Sequence, residues 1–227
     1  SREQLCAMNG QASSHMQVLD ALLLDYARGA FSLPLEVLVE THLAMNEDSA
    51  KTMNMLMKLG GVLLEDSEPV SLSEGALENV LKAIEDDEES AALDTRRLDT
   101  NSGFLPRPIS DYIPNADHAS WRRIGLGLFE CDVVFDGDQG RAKFYRIAPG
   151  TAVPSHTHTG TEVTLVLEGG FTDETGSYGP GDIAVQEEGC EHKPVADNDG
   201  ECLVFAINQG DIRLTGPIGR VLNLLAN

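Results

Sequence analysis

Three absences limit what this chain of 227 residues can be. It has no run of about 18 apolar residues, so we expect no membrane-spanning helix and no membrane contact. It has no apolar leader with a small-residue cleavage site, which argues against secretion. Its four cysteines occur at no C-x-x-C spacing, so we expect neither a disulfide framework nor a thiolate zinc knuckle. Together these absences favour a protein of the reducing cytoplasm.

Positive charge is also scarce. The chain has 37 acidic residues against 16 basic ones, a formal net charge of −21. Such a chain repels a phosphate backbone, so we expect no direct nucleic-acid partner. A basic protein partner would suit this charge, although acidic faces also serve simply to keep a protein soluble.

The first part of the sequence predicts helices. We treat residues 1–16 as an N-terminal tail, because His15-Met16 resembles a cloning junction, in which case Cys6 and His15 carry no meaning. Residues 17–84 form the predicted helical domain, a small bundle of about four helices. Gly29 and the pair Gly60-Gly61 are expected to end the first and third helices. The helical segments are DALLLDYARGA, LPLEVLVETHLAM, EDSAKTMNMLMKLGG and ALENVLKAI.

Methionine is concentrated in and beside the third helix. Met53, Met55 and Met57 cannot all lie on one helical face, so we expect some of them to be exposed or at an interface. Flexible methionines suit a surface that adapts to a partner, and ordinary core packing is the alternative.

The second part of the sequence predicts strands. Residues 85–104 are charged and polar without apolar periodicity and form the predicted linker. Residues 105–227 contain short apolar segments separated by glycine and proline turns, which favours a β-barrel or jelly roll. These segments include RAKFYRIA, TEVTLVLEG, GDIAVQ and GECLVFAIN. The predicted fold class is therefore α+β with two domains.

Histidines of the β half have the spacing of metal ligands. His156 and His158 point to one face of a strand because side chains alternate, and Glu162 shares their parity. His192 follows another predicted strand and can reach the same point. Three imidazoles and a carboxylate suit zinc, iron, manganese or nickel.

The same residues resemble the two motifs of the cupin family. The first motif is matched without a gap, and the second has Glu187 where proline is usual. The matching residues are Gly150, His156, His158, Glu162 and Gly169, then Gly181, Gly189 and His192. The resemblance implies a cupin barrel with one divalent metal, zinc first and iron, manganese or nickel as alternatives, bound by His156, His158, Glu162 and His192.

The order of a helical domain and a cupin resembles the ChrR family of anti-sigma factors. The segment DALLLDYARGAFSLPLEVLVETHLAM carries the helical part of the resemblance. Family members bind zinc there through a histidine and an H-x-x-x-C-x-x-C motif. Here His42 keeps the central histidine, but Asn46 and Ser49 replace the cysteines and Gln17 replaces the first histidine. Amide and hydroxyl groups are poor zinc ligands, so we expect no zinc in the helical domain and a hydrogen-bonded His42.

The family resemblance implies a function. The helical domain would sequester an extracytoplasmic-function sigma factor, and the metal-bound cupin domain would release it on sensing oxidative stress such as singlet oxygen or hydroperoxide. We also expect a cytoplasmic location and consider a homodimer through the cupin domain. The competing hypothesis is a metal-dependent cupin dioxygenase or isomerase with an accessory helical domain, in which Glu187, Glu188 or Glu191 assists; no catalytic residue is assigned.

Two cysteines are candidate redox residues. Cys190 precedes His192 by two positions, and Cys202 begins an apolar strand. An accessible thiolate there can be oxidised to sulfenic acid, whereas a buried structural thiol is the alternative at both positions.

Overall fold

The computed structural model of the chain describes residues 12–94, 105–106, 108–112, 120–135 and 141–215. Five helices lie in these ranges: α1 (Ala12–Ala27), α2 (Leu33–Met45), α3 (Glu47–Glu65), α4 (Ala76–Asp94) and α5 (Ile109–Tyr112). None of the helices within these ranges is long and apolar enough to cross a membrane.

Three helices begin or end away from their predicted limits, α1 and α3 by less than α4. Helix α1 begins at Ala12, so the end of the predicted tail is helical. Helix α3 passes through Gly60 and Gly61 and ends at Glu65, so the prediction that these glycines end it was wrong. Each glycine costs a helix about 1 kcal/mol relative to alanine, and the leucine, methionine and lysine residues around them are good helix formers that offset this cost.

Helix α4 differs most from its prediction. It begins at Ala76, after Gly75 with φ +79°, and continues to Asp94. The predicted linker therefore begins too early, because residues 85–94 are helical. This segment holds three glutamates, two alanines and one leucine, which favour helix even where no apolar face is sustained, against three aspartates, which do not. Residues 95–104, the rest of the predicted linker, lie outside the described residues.

Helices α1, α2 and α3 pack against one another around a small apolar core. Leu23 of α1, Leu38 of α2 and Met53 of α3 are buried there. In contrast, Met55 and Met57 are 65% and 59% exposed, which confirms that the methionines do not share one buried face. The four apolar residues of α4 at helical spacing are each at least half exposed; they are Leu77, Val80, Leu81 and Ile84.

The strands form three antiparallel sheets. A six-stranded sheet has the order β1-β2-β3-β10-β5-β8, a three-stranded sheet has the order β7-β6-β9, and β4 pairs with β11. The strands are β1 (Arg122–Gly125), β2 (Leu128–Val133), β3 (Arg141–Ile147), β4 (His156–His158), β5 (Glu162–Glu168), β6 (Phe171–Thr172), β7 (Ser177–Tyr178), β8 (Ile183–Gln186), β9 (Val195–Ala196), β10 (Cys202–Asn208) and β11 (Ile212–Leu214). The predicted β-rich second half is confirmed.

Strand β10 is the centre of the large sheet. All of its residues are buried, as the apolar sequence CLVFAI predicts for a strand covered on both faces. Phe205 lies opposite Phe144 of β3 and Leu165 of β5, and the two phenylalanine ring centroids are 5.1 Å apart.

The helical half packs on one face of this sheet. One continuous apolar cluster includes Val37 and Leu38 of α2, Ile109 of α5 and Phe205 of β10. The end of α2 also contacts the turn before β8, where His42 Nδ1 lies 2.6 Å from the carbonyl oxygen of Gly181. A Cβ at Gly181 would lie 3.1 Å from Cβ of Met45, and its φ of +87° also favours glycine. The two halves therefore share one core.

Candidate metal centre

Three segments bring the predicted ligands together. His156 and His158 lie on β4, Glu162 begins β5, and His192 follows the loop after β8. The loop is fixed to β4 by two backbone hydrogen bonds, from the His156 amide to the His192 carbonyl at 3.2 Å and from the His192 amide to the His156 carbonyl at 3.1 Å. All four side chains are buried.

The ligand atoms of these side chains converge. His192 Nε2 lies 2.9 Å from His156 Nε2 and 3.2 Å from His158 Nε2. His158 Nε2 also lies 3.3 Å from a Glu162 carboxylate oxygen, and all four ligand atoms lie within 4.8 Å of one another. Two ligands that are each about 2.0–2.1 Å from one zinc ion are roughly 3 Å apart. The spacing therefore fits a single divalent ion bound by three nitrogens and one oxygen.

The electrostatics of the histidines also suit a metal. Burial and the adjacent His192 lower the pKa of His156 to about 4, against opposing effects of Pro154 and Glu162. Burial and His192 likewise lower the pKa of His158 to about 4. Both rings are therefore neutral at pH 7, which is the form that binds metal.

The other ring nitrogens have different partners. His156 Nδ1 donates to the carbonyl oxygen of Pro154 at 2.8 Å, and His192 Nδ1 faces the carboxylate of Asp173 at 3.4 Å. His158 Nδ1 and Asn208 Oδ1 are both buried without a well-formed hydrogen bond, although Asn208 is near enough to raise the pKa of the ring slightly. Backbone, carboxylate and amide groups thus surround the three rings.

An apolar cavity of about 280 Å³ opens beside the centre. His156, Glu162 and His192 form part of its wall, and Asp173 and Gln186 lie next to them. Most of the remaining wall is aliphatic or aromatic and includes Leu128, Ile147, Val153, Phe171, Val204 and Leu214. A small apolar molecule can therefore approach the metal ligands from inside the barrel.

Several contributors to the site were not identified from the sequence. Asp173 and Gln186 reach the centre because the β6–β7 turn folds over β8, and Gln186 lies opposite Glu162 in the β5–β8 register. The turn DETG has the composition of an Asp-initiated turn, so the sequence contained a signal for the turn itself. It contained none for the contact with His192, which depends on the pairing of distant strands.

The cysteines have different environments. Cys202 is fully buried, and burial, with Asp197 and Glu201 adding to it, raises the pKa of its thiol to about 12. The thiolate that oxidants attack is therefore strongly disfavoured at Cys202. Cys190 is disulfide-bonded, in contrast to the expectation of reduced cysteines, while Cys131 and Cys202 are free. The predicted redox role of Cys190 and Cys202 stays a prediction.

In the helical half, the residues at the family's zinc-ligand positions make structural contacts. His42 is fully buried and bonded to Gly181, which confirms the predicted hydrogen-bonded histidine. Burial lowers the pKa of His42, against opposing effects of Gly181 and Asp182. Asn46 caps α3 by accepting a hydrogen bond from the Ser49 amide at 3.1 Å. The two residues at the cysteine positions of the family motif thus form a helix cap.

The fold and the site define a cupin-domain protein with a helical unit packed on its barrel. A sequence profile of the ChrR cupin-like domain matches residues 110–211. The chain is also 36% identical over 197 residues to the anti-sigma-E factor ChrR of Cereibacter sphaeroides, covering 86% of this chain and 90% of the relative. The crystal structure of Rhodobacter sphaeroides SigE in complex with the anti-sigma ChrR is similar, with a TM-score of 0.68, 34% identity and coverage of 84% and 96% of the two chains. The chain belongs to the ChrR family of anti-sigma factors.

Proposed function

We propose that this chain sequesters an extracytoplasmic-function sigma factor through its helical half and releases it when the metal-bound cupin domain senses oxidative stress, such as singlet oxygen or hydroperoxide. The observation that carries the proposal is the set of exposed apolar side chains on α3 and α4. Family membership, with a relative whose crystal structure is a complex with SigE, supplies the class of partner.

The exposed apolar residues form what we call the α3–α4 surface. On α4 they recur at positions i, i+3, i+4 and i+7, the spacing of a helix face that packs against another protein. Leu77, Val80, Leu81 and Ile84 are exposed by 50–65%. On α3 the exposed residues are Met55, Met57, Leu59, Val62, Leu63 and Leu64, between 56% and 73%. Exposed apolar helix faces of this kind on a folded protein mark interaction sites.

Charge supports the same class of partner. A sigma factor that contacts promoter DNA needs basic surfaces for the phosphate backbone. The net charge of −21 makes the electrostatic potential of this chain complementary to those basic surfaces, which speeds association. The acidic chain then competes with DNA for the same surfaces. The chain therefore binds the protein partner and makes no direct contact with nucleic acid.

The sensing half acts through the four buried ligands. When bound, a divalent ion supplies a Lewis acid and, if it is redox-active, a site where an oxidant can react. Zinc is the first candidate, with iron, manganese and nickel as alternatives. His156, His158, Glu162 and His192 hold β4, β5 and the loop after β8 together at one end of the barrel. Loss of one ligand removes this link and leaves the loop held to β4 by its backbone hydrogen bonds.

A short path connects this loop to the helical half. Strand β8 runs from the turn at Gly181, which contacts His42, to Gln186, which lies opposite Glu162. A shift of β8 on ligand loss would therefore change the contact between Gly181 and the end of α2. Because α2 packs against α3, the change can reach the α3–α4 surface.

A second candidate function rests on the cavity. An apolar cavity beside a metal centre also suits a substrate, so a metal-dependent dioxygenase or isomerase is the alternative. Oxygen consumption by the iron-loaded chain in the presence of small apolar substrates would support the enzyme. Family membership favours the anti-sigma function, and a cytoplasmic location and a cupin-mediated homodimer remain part of the proposal.

The test is capture of partners from lysate of the source organism by the tagged full-length chain, followed by mass spectrometry. We expect a sigma factor to be recovered by the wild type and lost with Leu77→Glu/Leu81→Glu, which places charge on the α3–α4 surface. Leu126→Glu is the matched control, because Leu126 is 86% exposed on the cupin half. Recovery of no sigma factor, or equal recovery by all three chains, would contradict the proposal.

A further inference from the structure

A buried carboxylate stands behind one of the candidate ligands. Asp173 lies between β6 and β7, and its side chain is completely inaccessible to solvent. Among the described residues, its only partner that can carry a positive charge is His192. Burying a charge is costly unless it is hydrogen-bonded, so the partners of the Asp173 carboxylate show what the buried charge is for.

The two carboxylate oxygens of Asp173 have separate partners. Oδ1 accepts hydrogen bonds from the Thr175 amide at 2.8 Å, the Thr175 hydroxyl at 2.6 Å and the Gly176 amide at 3.2 Å, and so holds the turn. Oδ2 accepts from Gln186 Nε2 at 2.9 Å and faces His192 Nδ1 at 3.4 Å. The turn contacts thus fix the carboxylate, and Gln186 holds its second oxygen toward His192.

This arrangement determines the tautomer of His192. An ionised carboxylate can only accept hydrogen bonds, so Nδ1 of His192 is the nitrogen that carries the hydrogen. Nε2 then presents its lone pair to the centre, where it lies 2.9 Å from His156 Nε2 and 3.2 Å from His158 Nε2. The tautomer that Asp173 favours, with the hydrogen on Nδ1, is therefore the one that can bind a metal through Nε2.

The other two rings lack such a partner. His156 Nδ1 is bonded to a neutral backbone carbonyl, and His158 Nδ1 has no well-formed hydrogen bond. His192 also differs in its support, because it follows a loop in which Glu187 and Glu188 are exposed, whereas His156 and His158 lie on a strand. The backbone of His192 pairs with His156 of β4, and its ring is the one of the three with a buried carboxylate behind it.

We propose that Asp173 is a positioning residue of the metal centre: it fixes the tautomer and orientation of His192 and so strengthens the binding of the metal. The proposal rests on the metal binding proposed above. Carboxylates behind metal-bound histidines raise the basicity of the ligand, and their removal typically costs 10–100-fold in metal affinity. Because Asp173 also contacts Gln186 at the end of β8, it joins the ligand to the strand that leads to His42.

Metal affinity is the first test. The metal-free full-length chain is titrated with Zn²⁺ against a chromophoric chelator, and Asp173→Asn is expected to bind about 10–100-fold more weakly than wild type. Thr175→Val is the matched control: it removes the hydroxyl that bonds Oδ1 and contacts Tyr178 and Gln186, and it keeps both groups that contact Oδ2, Gln186 Nε2 and His192 Nδ1. An affinity unchanged in Asp173→Asn, or lowered equally in Thr175→Val, would overturn the proposal.

The tautomer is the second test, and a purely structural role would leave it unchanged. Long-range proton–nitrogen NMR spectra of the metal-free chain should show His192 with its hydrogen on Nδ1 in the wild type and a mixture of tautomers in Asp173→Asn. His156 is the internal reference, since its carbonyl partner is unchanged. An Nε2-protonated His192 in the wild type would refute the role of Asp173 alone, whereas a wild type that binds no Zn²⁺, Mn²⁺ or Fe²⁺ would refute the metal centre and this role with it.

Discussion

The two halves of the molecule differ in how completely their apolar side chains are buried. In the cupin half, β10 is buried along its whole length between β3 and β5. In the helical half, the second part of α3 and the described apolar residues of α4 are exposed. The central strand of the barrel is fully covered, whereas the α3–α4 surface is exposed and, under the proposed function, is covered by a sigma factor. One half thus holds the candidate metal centre, and the other presents the proposed protein-binding surface.

Histidine shows the same contrast on a smaller scale. In the barrel, His156, His158 and His192 direct their Nε2 atoms at one point. In the helical half, His42 is isolated from other histidines and bonds to a backbone carbonyl. The same side chain is a candidate ligand where three rings converge and a structural link where it bonds to a backbone carbonyl.

The largest effect should come from opening the barrel core. Phe205→Ala removes a fully buried ring that contacts Phe144, so we expect the free energy of unfolding to fall by about 3–5 kcal/mol. Leu81→Ala truncates an exposed residue of α4 and should change the free energy of unfolding by less than about 0.5 kcal/mol. Denaturant titration of both variants measures the difference. Similar losses in the two would contradict the division between a complete and an incomplete core.

The metal-free chain should lose stability in acid because of its cupin histidines. His156 and His158 have folded pKa values of about 4, below the ordinary value of 6.5. The unfolded chain therefore gains protons first as the pH falls from 6.5 to 4, and the folded state is destabilised over that window. Because the protonated rings repel one another and His192, their contributions do not simply add, and we expect a loss on the order of 3 kcal/mol. The double variant His156→Asn/His158→Asn should lose most of this pH dependence; an unchanged slope would show that the rings are not buried in neutral form.

The sequence predicted the cupin half better than the helical half, for a physical reason. The ligands His156, His158, Glu162 and His192 follow from alternation along strands and from motif spacing, and both are local. The limits of α3 and α4 did not follow, because glycine and acidic residues are weak signals that good helix formers nearby override. Asp173 could not be predicted as a neighbour of His192, since their contact depends on how distant strands pair.

Removing the hydrogen bond between His42 and Gly181, which links the two halves, should have an intermediate effect on stability. His42→Ala leaves the Gly181 carbonyl buried without its partner, and we expect a loss of about 1–3 kcal/mol in the free energy of unfolding. His42→Asn retains a side-chain donor and should lose less. Calorimetry of the two variants distinguishes these outcomes. Equal stability of His42→Ala and wild type would show that the hydrogen bond to Gly181 does not hold the halves together.

The smallest effect concerns the exposed end of α3. Gly60→Ala should stabilise the chain by up to about 1 kcal/mol, because an added Cβ meets nothing within 4 Å and alanine favours helix. Gly75→Ala is the control with equal space, but its φ of +79° should make the change destabilising. Thermal unfolding of both variants provides the comparison. Destabilisation by Gly60→Ala would mean that α3 does not continue through this position.

The most direct measurement of the central claim is transcription in vitro by core polymerase and the captured sigma factor, titrated with the metal-loaded chain. We predict inhibition that is complete near one chain per sigma factor, weakened at least about tenfold by Leu77→Glu/Leu81→Glu and relieved when the metal is removed. Full transcription at excess wild-type chain would contradict the anti-sigma function. Inhibition that persists unchanged after metal removal would contradict the role of the cupin centre in release.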